Sequence, residues 1–128
     1  MFDLATDSTS RLLIQKFYES DKIVSAVCHG PAALVNVKLS DGTYLVKDQR
    51  VTGFSNAEEE AYNFTDAMPF LLEDELKSHG GMYKKADQLF GAKVVISGKH
   101  GNLVTGQNPP SATVIGESLL DVIQKQRG

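Results

Sequence analysis

The chain has 128 residues, 41% of them hydrophobic, which suits a single domain over 1–128 with a packed core. A formal net charge of -3, with lysines and arginines scattered singly, argues against nucleic-acid or membrane partners and leaves small molecules or other proteins. No apolar stretch nears the ~20 residues of a membrane span, Met1–Leu4 has no leader-like pattern, and one cysteine excludes an internal disulfide, so a soluble, cytoplasmic protein is expected.

In chain order, Asp7, Ser8 or Ser10 can cap a first helix whose apolar positions Leu12, Leu13, Phe17 and Ile14 or Tyr18 recur at helical spacing, with one face packed on a sheet. Ile23–Val27 then reads as a buried strand. Directly after it come Cys28-His29-Gly30-Pro31-Ala32, the pattern of a thiol on a strand-to-helix turn. A helix from Pro31 to about Val37 would offer unpaired N–H groups and a positive dipole end, both of which favour thiolate. Pro31 fits a first helical position, and Gly30 leaves room for a sharp turn and close approach of a substrate. A lone cysteine after an apolar run is most often inert. The turn context changes that balance, because it lets Cys28 and the titratable His29 border one pocket.

Thr43–Val46 and Arg50–Phe54 read as a hairpin around Lys47-Asp48-Gln49. Asn56 can cap a short acidic helix through Glu58, Glu59, Glu60, Ala61 and Tyr62, where the helix dipole alone accounts for most of the glutamates. Phe70–His79 is a further helix stopped by Gly80-Gly81. Lys93–Ser97 and Asn102–Thr105 are strands separated by the Gly98-Lys99-His100-Gly101 turn. The last helix starts at Ser111, burying Val114 or Ile115, Leu119, Leu120 and Ile123. His79, at a helix end, and His100, in a turn, have no Cys or carboxylate at ligand spacing, so no metal is expected. No glycine-rich phosphate loop precedes a helix, and no cofactor is implied.

Three segments taken in order carry a resemblance: Ala26-Val27-Cys28-His29-Gly30-Pro31-Ala32, Val51-Thr52-Gly53-Phe54-Ser55-Asn56-Ala57-Glu58-Glu59, and Leu103-Val104-Thr105-Gly106-Gln107-Asn108-Pro109. With them the chain resembles the ThiJ/PfpI superfamily, in particular the branch of the glutathione-independent glyoxalases (glyoxalase III) and heat-shock chaperones. The resemblance implies a flavodoxin-like α/β sandwich of the class I glutamine amidotransferase type, with a nucleophile elbow. It implies Cys28 as nucleophile, His29 as its partner and Glu59 as the carboxylate orienting the histidine, with Glu58 and Glu60 as alternatives. Gly30, Gln107 and Asn108 would border the substrate. Members of this branch begin with about a hundred further residues, so the chain looks like the C-terminal portion of such a protein, lacking early strands of the sheet.

What the resemblance implies chemically is a lyase (hydro-lyase) that turns methylglyoxal into lactate through a Cys28 thiohemiacetal, in a stress-protective role. Its substrate would be a small 2-oxoaldehyde, with unfolded or glycated proteins as further partners. Homo-oligomerisation as a dimer, or association with the absent N-terminal segment, would cover the open sheet. The rival readings are a holdase chaperone that does not use the thiol, a redox sensor in which Cys28 is oxidised, and a peptidase or amidase.

Overall fold

The computed structural model describes residues 1–127. In chain order its elements are α1 (Ser8–Glu19), β1 (Val24–Val27), β2 (Arg50–Val51), α2 (Asn56–Ala61), α3 (Leu72–Ser78), β3 (Met82–Tyr83), β4 (Val94–Ser97), β5 (Leu103–Gly106) and α4 (Ser111–Arg127). Gly30–Ala33 and Thr65–Ala67 form 3-10 turns.

β5 is the middle of a sheet ordered β1-β5-β4, and each of its residues is buried. Alternation along the strand sends Leu103 into a core with Val35, Val37, Leu45, Val51, Leu72 and Leu76 on one face. Val104 points to the opposite face, where Ile115 and Val122 of α4 cover it. A strand buried on both sides with helices over the sheet is the layered arrangement of a flavodoxin-like α/β fold. β1 runs parallel to β5, Val24 opposite Leu103 through Val27 opposite Gly106. β4 runs antiparallel to it, as expected for two strands joined by a short turn with Gly98 and Gly101 at positive φ. Among the described residues, the outer edge of β1 has no partner strand.

Several local expectations change. The proposed hairpin is absent: Tyr44 makes an isolated bridge to Lys38, while β2 pairs in parallel with β3, a strand the sequence reading did not find. Two residues per strand are too few for a periodicity to show, and their pairing is long-range. The helix after the elbow is a single 3-10 turn, and Leu34–Asn36 continue as turn. The α2 N-cap is Ser55 rather than Asn56, closing a reciprocal capping box with Glu58. α3 is shorter than Phe70–His79, and Gly80 at φ +93° ends it.

The two outer helices also turn differently from expectation. In α1, capped by Asp7, the inward stripe is Ile14 and Tyr18, and Leu12, Leu13 and Phe17 are exposed. In α4, Ile115 and Val122 are buried, Leu119 is partly buried, and Leu120, Ile123 and Val114 face outward. Both helices carry more apolar positions than one face can bury, so periodicity alone did not select the stripe. His79 caps α3 with its ring stacked on Tyr44 at 4.0 Å and its Nδ1 bonded to the Val35 carbonyl. His100 is exposed, 3.5 Å from Asp21.

Candidate functional site

β1 ends one residue before Cys28, and the backbone there is fixed from two sides. The Cys28 N–H donates to the Gly106 carbonyl at 3.0 Å, and its own carbonyl accepts from the Phe54 N–H at 2.8 Å. Between these bonds Cys28 adopts φ +65°, a left-handed conformation that L residues avoid. The elbow strain is therefore at Cys28 itself. Gly30, expected to supply the sharp turn, is exposed, has no positive φ, and a Cβ there would meet only Ala26 at an ordinary 3.5 Å. A Cβ on Gly53 would come within 2.8 Å of a Leu72 methyl and 3.4 Å of the Cys28 carbonyl oxygen, so this glycine packs closely beneath the turn.

From this turn the His29 ring faces two ways. Its Nδ1 is 3.6 Å from the Cys28 Sγ, and its Nε2 is 2.9 and 3.0 Å from the two oxygens of Glu59. A carboxylate only accepts, so Nε2–H donates to Glu59, and this tautomer leaves the Nδ1 lone pair toward the sulfur. Glu59 lies in the first turn of α2 and is fully buried, whereas 28% of the His29 side chain is exposed. Of the three glutamates, Glu59 thus meets the imidazole, and Glu60 is exposed.

Glu58 has a different task. Its Oε1 accepts from the Ser55 N–H at 3.0 Å, the Ser55 hydroxyl at 2.9 Å and Gln107 Nε2 at 2.9 Å, while Oε2 accepts from Asn108 Nδ2 at 2.7 Å. The sequence carried a signal for part of this in Ser55-Asn56-Ala57-Glu58, the spacing of a capping box. Gln107 and Asn108 are buried and their side chains are spent on structure: Gln107 Oε1 accepts from the Ala86 N–H, and Asn108 Nδ2 also reaches the Gly91 carbonyl. Their amide groups hold the 86–91 loop against α2.

The electrostatics of the sulfur also differ from expectation. Burial raises the Cys28 pKa above its ordinary value; the His29 backbone N–H lowers it, and the charges of Glu58 and Glu59 add to the rise. The short 3-10 turn lacks the aligned dipoles of the expected helix. In this environment the thiol is the resting form, and a nearby base is needed to take its proton. Nearby, the half-buried Tyr83 hydroxyl donates to the Gly53 carbonyl at 2.7 Å, and burial raises its pKa as well.

A thiol on a strained strand-end turn, an imidazole beside it and a buried carboxylate behind that imidazole define an α/β protein built around a cysteine–histidine–carboxylate array. The chain belongs to the DJ-1/PfpI family, whose model matches residues 3–121. It is 33% identical to the probable glutathione-independent glyoxalase hsp3103 of Schizosaccharomyces pombe, over 96% of this chain and 49% of that protein. Among solved structures it is similar to glyoxalase III of Candida albicans, with a TM-score of 0.83, 28% identity, and coverage of 94% of this chain and 52% of that one. The Rapid Encystment Protein 24 KDa of Francisella tularensis gives a TM-score of 0.88 at 34% identity, covering 94% of this chain and 52% of that chain. The chain spans about half the length of the curated relatives it matches.

Proposed function

We propose that this chain carries the thiol site of a glutathione-independent glyoxalase acting on a small 2-oxoaldehyde such as methylglyoxal. The observation that carries the reading is the array Sγ(Cys28)–Nδ1(His29) and Nε2(His29)–carboxylate(Glu59), at 3.6 Å and 2.9 Å. The names of the relatives support the same class of substrate.

His29 Nδ1 takes the thiol proton as Sγ bonds to the aldehyde carbon; the carbonyl π pair becomes an alkoxide, which His29 reprotonates to a hemithioacetal. His29 then removes the proton from that carbon, and the electron pair moves through an enediol. Protonation of the neighbouring carbon gives a lactoyl thioester. Water cleaves the S–C bond and returns the thiol, so the sum is methylglyoxal plus water to lactate with no external oxidant or reductant. Glu59 holds the tautomer and stabilises the imidazolium at each proton transfer.

The test is lactate formation from methylglyoxal without glutathione, by the chain and by Cys28→Ala. Turnover lost in Cys28→Ala supports the reading. A folded chain that makes no lactate, or lactate output unaffected by the substitution, overturns it.

A second reading rests on a separate observation: Phe2 and Leu4 before α1, and Leu12, Leu13 and Phe17 on it, are all exposed, and the β1 edge lies open. This surface suits a holdase for unfolded clients or a seat for a partner, whether a second copy or the segment its longer relatives have. Suppression of client aggregation that survives Cys28→Ala but is lost in Leu13→Asp/Phe17→Asp would support it. Aggregation suppression indifferent to those charges would remove it.

A further inference from the structure

Beside the thiol array stands a wall of aromatic rings that the chemistry above does not use. The buried Phe54 ring lies 4.5 Å from the His29 imidazole, between centroids. Outward from it come Tyr62 at 6.0 Å and Phe90 at 6.4 Å, and these two meet edge-to-face at 5.1 Å. Phe64 stacks on Tyr62 at 5.5 Å. Tyr62 and Phe64 remain 50% and 45% exposed, so the wall opens to solvent while its inner end touches the imidazole.

The backbone holds these rings at a cost. Phe90 has φ +59°, a conformation bulky residues rarely adopt, and Asn63 at φ +58° folds the chain so that Phe64 returns under Tyr62. Both segments are tied to the array. Tyr62 caps the helix that carries Glu59, three residues away on the same face, and Asn108 bonds the Gly91 carbonyl next to Phe90.

We propose that Tyr62, Phe64 and Phe90 form a specificity subsite for a flat apolar substituent on the molecule that reacts at Cys28, so that aryl-substituted 2-oxoaldehydes are preferred to methyl-substituted ones. This rests on the glyoxalase reading for its substrate but on the rings alone for its selectivity. Offset and edge-on packing against such rings favours a planar group over a methyl group.

The test compares alkylation of Cys28 by iodoacetamide and by iodoacetanilide, in which the S–C bond forms, iodide leaves and the thiol proton goes to solvent. Cys28 is the only cysteine, so intact mass reports this site alone. The aryl-to-plain rate ratio, divided by the same ratio for N-acetylcysteine, should be about threefold to tenfold. It should fall to about one in Tyr62→Ala and in Phe90→Gly, the latter keeping its fold because glycine accepts the positive φ. A ratio of one in the unmodified chain, or a ratio unchanged in both variants, overturns the subsite. Lactate formation is scored separately: enrichment without lactate retains the subsite and removes the glyoxalase reading, and lactate without enrichment does the reverse.

Discussion

Replacing Cys28 by glycine should make the protein more stable than replacing it by alanine, although at an ordinary position the order is the opposite. Alanine keeps a Cβ, so at φ +65° it retains the left-handed strain of about 1–2 kcal/mol that glycine escapes. Against this, glycine gives the unfolded chain extra freedom worth about 0.4–1 kcal/mol. Both variants lose the sulfur and its 3.6 Å contact with His29, so that loss cancels in the comparison. The difference left is about 0.5–1 kcal/mol in favour of glycine, or about 2–4 °C in melting temperature for a domain of this size. Urea midpoints and thermal melts of Cys28→Gly and Cys28→Ala under one buffer condition decide it. An alanine variant equal to or more stable than the glycine variant would mean that the elbow holds no strain, and the account of how the turn presents the thiol would fail.

Two further outcomes follow from the site. Because burial raises the Cys28 pKa, its contribution to stability is fully present below the ordinary cysteine value of about 8.5 and is lost as pH rises through the higher folded value. The stability advantage of the native chain over Cys28→Ala should therefore shrink between pH 8 and 10 (roughly the range that brackets the ordinary thiol value) in urea titrations, and an advantage that grows there would contradict the assignment. Glu58→Ala should lower stability by about 3–5 kcal/mol, since it strands buried donors of Ser55, Gln107 and Asn108 together. A loss below about 1 kcal/mol in chemical unfolding would show that those groups find other partners.

What the sequence revealed, and what it hid, divides by the range of the interactions involved. A cap at Asp7, Ser8 or Ser10, a strand ending at Val27 and the thiol turn were readable because each is encoded by neighbours in the chain; the cap is Asp7 and the strand Val24–Val27. Glu59 came from family resemblance, and in the structure it lies buried four residues after the Ser55 cap, where its carboxylate meets His29. The Arg50–Phe54 run was legible as a strand, but β3 and its pairing with β2 were not, because Arg50–Val51 find their partners at Met82–Tyr83, far along the chain, while the composition of 43–54 imitates a hairpin. That Gln107 and Asn108 each donate to the Glu58 carboxylate was hidden, because that contact joins residues about fifty apart in the chain. Phe90 gave no sign of its left-handed backbone, since the adjacent Gly91 is the residue any turn rule would choose.

The two backbone bonds at Cys28 join three stretches of chain that are distant in sequence: the end of β1, the Gly53–Phe54 segment that follows β2, and the close of β5. Local chain preference opposes the Cys28 conformation, so it persists only once both remote partners have arrived. Until residue 106 has been made and docked, the turn that presents the thiol lacks one of its two backbone bonds. Its chemical character is acquired late, as a product of long-range loop closure, and incomplete chains would lack the elbow geometry altogether.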